Sequence, residues 1–197
     1  MTVPFALNIR AALAADAGAL RAILQDTYES TWFPQMTPTT LQAFRDEARP
    51  TAFVASRGSE FQVAEHDGDV VGFVDWDADF VNALHVRSSF ARKGIGSRLM
   101  DHAEAEIAAA GFTSSRLETD TFNVRSRAFY QARGYHEEDR YPDTEWHSGF
   151  TTILFVKSLG KQRRGLFRWG NRASEYLLAI GRRWQAQPPP MADPAIA

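Results

Sequence analysis

The chain contains no cysteine among its 197 residues. Disulfide bonds, thiolate metal ligands and cysteine nucleophiles are therefore excluded, and no metal site is expected. No apolar run approaches the roughly 20 residues that a membrane-spanning helix needs. The N-terminus also lacks the basic segment and the long apolar core of a secretion signal. These absences predict a cytoplasmic protein without integral membrane association.

The charge is distributed unevenly along the chain. The net charge is only −2, but residues 160–197 hold seven basic residues against two acidic ones, so the remainder is acidic. Apolar residues recur at steps of three or four in this basic part, which is typical of an amphipathic helix. We expect a globular domain over residues 1–158, a basic amphipathic helical extension over 159–187 and a disordered, proline-containing tail over 188–197.

Three uses of the basic extension remain open. It can pack on the acidic domain or on a second subunit, lie on an anionic membrane surface, or contact nucleic acid. Packing is favoured, because the acidic domain offers a partner of opposite charge. No nucleic-acid partner is expected, because the domain lacks basic and aromatic residues interleaved on strands. The β-rich C-terminal half is consistent with a homodimer.

Residues 84–100 predict a site for a pyrophosphate group. Leu84 and Val86 read as one face of a strand, a glycine-containing basic loop follows, and apolar residues then recur at helical spacing. A strand, a glycine loop and a helix present free backbone N–H groups to phosphate. Arg92, Lys93 and Arg98 add positive charge. The alternative is an ordinary strand-to-helix turn with solvated cations.

Two familiar nucleotide motifs are excluded at this loop. No Lys-Ser or Lys-Thr pair follows Gly96, as a P-loop would require. Leu99 stands where the dinucleotide fingerprint has its third glycine.

The rest of the domain reads as mixed strands and helices. Periodicity predicts helices at 11–26 and 39–48, an aromatic loop at 28–36, and a hairpin turn at Asp67-Gly68. Asp16 is a candidate cap for the start of the first helix. Strands are predicted at 5–10, around Phe53, and at 60–65, 70–77, 80–86, 113–121 and 150–157. A second motif runs from Asn123, a good helix N-cap, through Phe129-Tyr130 to Gly134-Tyr135.

The two motifs resemble those of the GNAT (Gcn5-related) N-acetyltransferases. The loop Ala91-Arg92-Lys93-Gly94-Ile95-Gly96 is similar to the family's Gln/Arg-x-x-Gly-x-Gly/Ala, with Ala91 replacing the first residue. The resemblance covers about residues 5–158. It implies an α+β, three-layer fold with a mixed, mostly antiparallel sheet of six to seven strands flanked by about four helices. It also implies acetyl-CoA as cofactor.

The resemblance also implies which residues form the site. The cofactor-binding residues would be Leu84, His85, Val86, Ala91, Arg92, Lys93, Gly94, Ile95, Gly96, Ser97, Arg98, Asn123, Arg127, Phe129 and Tyr130. The segment between the first two helices would face the acceptor, with Glu29, Trp32 and Phe33 binding it. The alternative for Trp32 and Phe33 is packing on the core.

Catalysis requires a proton acceptor, because an alkyl amine of pKa about 10.4 is protonated at pH 7 and cannot attack a carbonyl. The resemblance places Tyr130 near the coenzyme A sulfur as an acid; its alternative is a packed aromatic residue. For the base, Asp75 and Asp77 share a strand face with Asp79, and His85 has a suitable ordinary pKa. The alternatives are that the aspartates form the solvated end of a hairpin and that His85 has a structural role. Further candidates are Glu29, Glu118, Glu145 and His147.

The resemblance implies direct acetyl transfer from acetyl-CoA to a primary amine. The acidic hairpin suggests that a small cationic molecule carries this amine. One alternative is a catalytically silent acyl-CoA-binding regulatory module. Another is acetylation of a protein or peptide amine.

Overall fold

The computed structural model describes residues 6–46, 48–143 and 149–160. Nearly all of the predicted basic extension and the tail at 188–197 lie outside these residues, as do Glu145 and His147. In this part of the chain, no helix is long and apolar enough to cross a membrane.

Seven strands form a single sheet in the order β1-β2-β3-β4-β5-β7-β6. The strands are β1 Asn8–Ala11, β2 Gln62–His66, β3 Asp69–Asp77, β4 Phe80–Val86, β5 Ser114–Asp120, β6 His136–Pro142 and β7 Thr151–Ser158. The helices of the described residues are α1 Ala17–Thr31, α2 Pro38–Asp46, α3 Arg49–Arg57, α4 Ile95–Ala109 and α5 Val124–Ala132. Neighbouring strands are antiparallel except β4 and β5, which are parallel. The predicted mixed, mostly antiparallel sheet is confirmed.

Helices cover the two faces of the sheet and give the fold three layers. On one face, which we call the α4 face, Ile95, Leu99 and Ile107 of α4 pack against the sheet with almost no exposed surface. On the other, the α1 face, Leu20 and Leu24 of α1 are equally buried in a second cluster. Both helices follow the three-to-four spacing that buries one stripe of a helix.

The β2–β3 hairpin forms where its turn was predicted. Asp67 and Gly68 have φ values of 51° and 84°. Two successive positive φ values are what a two-residue type I′ turn requires, and Asp-Gly adopts them readily.

Three local predictions are wrong. Phe53 lies in α3 rather than in a strand, because its ring packs 5.1 Å from that of Phe61 and the helix covers α1. The predicted aromatic loop begins as helix, since α1 continues to Thr31. Asp16 precedes α1 without capping it, because its carboxylate instead accepts bonds from Arg10 and the Leu13 N–H.

The parallel strands β4 and β5 pair only at their beginnings. The register joins Phe80 to Arg116 and Val81 to Leu117, and no later pair follows. The strands therefore diverge toward their C-terminal ends. We call the space between residues 83–86 and residues 118–120 the β4–β5 gap.

Candidate active site

The glycine loop leaves three backbone donors free of helical acceptors. Gly94 has φ 81°, a left-handed conformation that glycine adopts without a Cβ penalty. The Arg98 N–H makes a bond of 3.1 Å to the Gly94 carbonyl. The N–H groups of Ile95, Gly96 and Ser97 therefore precede the first intrahelical donor. They stand at the positive end of a 15-residue helix.

The loop packs beside the other predicted cofactor-binding residues. A Cβ on Gly96 would lie 3.7 Å from the Phe129 ring and 3.9 Å from Leu84 and Val86. Arg92 and Arg98 are exposed around the loop. Lys93 is also exposed, and its ammonium lies 4.6 Å from the centre of the Phe90 ring.

Three N–H donors and three cations fit a diphosphate, and the small residue at position 96 leaves room for close approach. Ala91, at the position where the family motif has Gln or Arg, contributes no side-chain donor.

The backbone N–H of Val86 points into the β4–β5 gap. The Arg87 N–H bonds to the Val71 carbonyl at 2.9 Å, and the register pairs Gly72 with Val86. Bonded and non-bonded pairs alternate along an antiparallel ladder. Val86 therefore belongs to a non-bonded pair, and its N–H is directed away from β3, where it can donate to a carbonyl oxygen.

Tyr130 is buried on the α4 face, with only 7% of its surface exposed. Its ring packs against Phe129 and Tyr135 at 5.2 and 5.7 Å. Burial raises the pKa of its hydroxyl well above the usual value. Among the described residues, no hydrogen-bond partner of this hydroxyl is found. The phenol is therefore protonated at neutral pH and able to donate.

Two other residues of the second motif support α5. The Asn123 side chain accepts a bond of 3.1 Å from the Ser126 N–H, so the predicted N-cap is confirmed. Arg127 donates to the Thr121 carbonyl at 3.0 Å, which ties α5 to the preceding turn.

Trp32 extends across the gap on the α1 face. Its indole Nε1 donates to Asp120 Oδ2 of β5 at 2.8 Å, while its ring centre lies 6.2 Å from that of His85 on β4. Phe33 instead packs in an aromatic cluster, 6.5 Å from Tyr28. Glu29 is exposed on α1 and accepts a bond from Gln25. Of the three predicted acceptor-binding residues, only Trp32 reaches both edges of the gap.

His85 lies on the α1 face in a largely apolar setting. Its Nδ1 is 2.8 Å from the Thr27 hydroxyl, and its ring stacks 5.3 Å from that of Phe73. Burial lowers the pKa of the imidazole to about 4. His85 is therefore neutral at pH 7 and a weaker base than an ordinary histidine.

The predicted row of carboxylates is divided among different partners. Asp75 is fully buried and accepts two bonds from the Arg57 guanidinium, at 2.7 and 2.8 Å. Burial raises its pKa, while Arg57 opposes the increase. Asp79 pairs with Arg116, and Asp77 is exposed.

Asp120, which was not among the residues predicted from the sequence, lies half-buried at the end of β5. Burial raises the pKa of this carboxyl group, the Trp32 bond opposes the increase, and the charges of Asp143 and Glu118 add to it. Glu118, which accepts a bond from the Tyr141 hydroxyl, was identified only as an unspecific candidate. One sequence feature could have identified Asp120 together with Glu118. Side chains alternate along the strand predicted at 113–121, so residues 118 and 120 share one face.

Comparisons with known proteins agree with this geometry. A model of the acetyltransferase (GNAT) family matches residues 18–135. A blasticidin-S acetyltransferase from Streptomyces morookaense is 34% identical over 113 residues, which are 57% of this chain and 80% of that protein. An uncharacterized N-acetyltransferase from Methanocaldococcus jannaschii is 33% identical over 104 residues, covering 49% of this chain and 65% of that protein.

Solved structures share the fold. The PaiA N-acetyltransferase of Thermoplasma acidophilum, in complex with coenzyme A, matches with a TM-score of 0.63 and 19% identity, over 78% of this chain and 99% of that one. A GCN5-related N-acetyltransferase from Rhodopseudomonas palustris matches with a TM-score of 0.65 and 20% identity, over 80% and 99%.

Proposed function

Since the chain belongs to the acetyltransferase (GNAT) family and is an acyl-CoA-dependent acetyltransferase, we propose that its acceptor is the primary amine of a small cationic molecule. The observation that carries this proposal is the charge of the acceptor side of the β4–β5 gap. Glu118 and Asp120 lie on one strand face, and the charge of Asp143 acts on Asp120 as well. Trp32 lies on the opposite side and bonds to Asp120. Carboxylates beside an aromatic ring attract an ammonium group through ion pairing and cation–π contact.

The acyl donor is acetyl-CoA, which supplies an activated acetyl thioester. The N–H groups of Ile95, Gly96 and Ser97 would hold its diphosphate, with Arg92 and Arg98 adding charge. Val86 would donate its N–H to the carbonyl oxygen on which charge develops. Tyr130 would donate its proton to the departing sulfur, a role supported by its buried, protonated hydroxyl.

The similarity to a blasticidin-S acetyltransferase supports a small-molecule acceptor. The aromatic cluster behind Trp32 supports it as well. Tyr28, Phe33 and Phe44 lie within 6.5 Å of one another, and Tyr28 packs 5.3 Å from the Trp32 ring. An ammonium group at Trp32 would therefore lie beside an aromatic surface.

Release of the coenzyme A thiol by the full chain tests the proposal. Acetyl-CoA would be combined separately with blasticidin S, spermidine, tyramine and a short peptide with a free N-terminus. We expect turnover with at least one of the small cationic amines and little with the peptide. Turnover with the peptide alone would favour a protein acceptor. Binding of coenzyme A without thiol release for any amine would favour a silent binding module.

A further inference from the structure

Asp120 is the only described carboxylate that Trp32 bonds, and Asp120 connects three elements at the gap through its side chain and its carbonyl. Trp32 follows α1, Asp120 ends β5, and the Asp120 carbonyl accepts a bond of 3.0 Å from the Asn123 N–H ahead of α5. Oδ2 of Asp120 is held by the indole N–H. Among the described residues, no donor bonds to the other oxygen, Oδ1. One oxygen is therefore positioned, and the second is available to a ligand.

Asp120 and Tyr130 lie on opposite faces of the sheet. Leu117 of β5 belongs to the α4-face cluster together with Tyr130. Because side chains alternate along a strand, Asp120 faces the α1 side, in agreement with its bond to Trp32. A group reacting within the gap would have the carboxylate on one side and the phenol on the other.

We propose that Asp120, positioned by Trp32, accepts the proton of the acceptor amine during acetyl transfer. This inference rests on the proposed function, since it assigns the base for that reaction. The ammonium loses one proton to Asp120 Oδ1, and the amine nitrogen then forms the bond to the acetyl carbon as the carbon–sulfur bond breaks. The amide nitrogen releases its second proton to solvent, the Tyr130 phenolate takes one proton back from solvent after giving its own to sulfur, and Asp120 returns its proton to solvent. The net products are the amide, the thiol and one proton.

Three other candidate bases are less suited by their surroundings. His85 is neutral at pH 7 because it is buried, and its Nδ1 is already hydrogen-bonded to the Thr27 hydroxyl. The Asp75 carboxylate is paired with Arg57 and lies inside the α1-face layer. Glu118 is exposed and accepts the Tyr141 hydroxyl.

Several ionisable groups act on Asp120 and determine its pH dependence. Glu118 on the same strand and Asp143 beyond β6 raise its pKa by charge repulsion, while the Trp32 bond lowers it. His85, on the opposite side of the Trp32 ring, is neutral above pH 5 and adds no charge there. A raised pKa makes Asp120 a stronger proton acceptor than an exposed aspartate.

The test combines two variants with a matched control. Asp120→Asn keeps an oxygen that accepts the Trp32 N–H but cannot take a proton. Trp32→Phe keeps an aromatic ring but removes the donor. Glu106→Gln removes a carboxylate charge from the exposed side of α4 and serves as the control. The acceptor is whichever amine of the panel above the wild type acetylates.

We expect Asp120→Asn to lower kcat/KM by about 10²- to 10⁴-fold, the usual contribution of one acid–base group. Coenzyme A affinity and the thermal midpoint should match those of Glu106→Gln. In Trp32→Phe the acidic limb of the kcat/KM profile should move to higher pH, because loss of the hydrogen bond raises the pKa of Asp120 further. A purely structural role would not move this limb.

A readout without substrate uses the indole N–H resonance of Trp32, assigned by its loss in Trp32→Phe. We expect this resonance to titrate with pH in the wild type and to stop titrating in Asp120→Asn.

The inference is overturned if Asp120→Asn retains wild-type kcat/KM across the pH range, or if the indole resonance does not titrate. Failure of the proposed function gives a distinguishable result, because the wild type itself then binds coenzyme A but acetylates no amine. In that case the assignment of Asp120 as the base is also wrong.

Discussion

Acidification should destabilise this protein through His85 in particular. The imidazole stacks on Phe73 within the α1-face layer, and burial lowers its pKa from 6.5 to about 4. Between these two values the unfolded chain binds a proton that the folded chain does not. The free energy of unfolding therefore falls as the pH decreases through 6.5 and stops falling from this cause near pH 4.

The size of the effect follows from the two pKa values. The His85 pKa is 6.5 in the unfolded chain and about 4 in the folded protein. This difference lowers the free energy of unfolding by about 3.4 kcal/mol once the pH is below both values. At pH 5 the linkage relation gives about 2 kcal/mol of lost stability relative to pH 7. For a domain whose total stability is of order 5–15 kcal/mol, this loss is readily measured.

Urea denaturation at pH 7 and pH 5 measures it, with His85→Gln as the comparison. Glutamine keeps both a donor and an acceptor for Thr27 but does not titrate. Other ionisable groups are common to both proteins and cancel in the difference. We expect the wild type to lose about 2 kcal/mol more than the variant between the two pH values. Equal losses, or a His85 resonance titrating near 6.5, would refute the assignment of a desolvated imidazole.

Three further substitutions test the site and its support. Tyr130→Phe should lower kcat by about 10²-fold without weakening coenzyme A binding; unchanged turnover at saturating acetyl-CoA would remove Tyr130 from proton transfer. Arg57→Ala should lower the free energy of unfolding by about 3–5 kcal/mol, because it leaves Asp75 buried without its cation; denaturant midpoints would show this, and a loss below about 1 kcal/mol would contradict it. Gly94→Ala should cost about 1 kcal/mol at its positive φ and weaken coenzyme A binding in calorimetry; unaltered binding heat and affinity would contradict a loop that holds the diphosphate.

Features determined over a few residues were the most predictable. The Asp67-Gly68 turn and the Asn123 cap form as expected, because their conformations depend on the local chemistry of the turn and the cap. The Gly94 loop likewise leads directly into α4. The strands predicted at 60–65 and 70–77, on either side of that turn, also form, as β2 and β3.

Features that depend on distant partners were not predictable in this way. The segment around Phe53 has the composition of either a short helix or a strand, and packing on Phe61 selects the helix. Asp75, Asp77 and Asp79 look equivalent in sequence, yet Arg57 pairs with the first and Arg116 with the last.

The sequence by itself determined the glycine loop ahead of α4 and the family, because both reside in contiguous motifs whose backbone conformation is local. The tertiary structure alone decided which carboxylate lies at the β4–β5 gap and bonds to Trp32. That choice depends on where β4 and β5 separate and on Trp32 reaching Asp120 across 88 positions of chain. A hydrogen bond over such a separation forms only after the sheet and α1 have packed, so no local pattern records it.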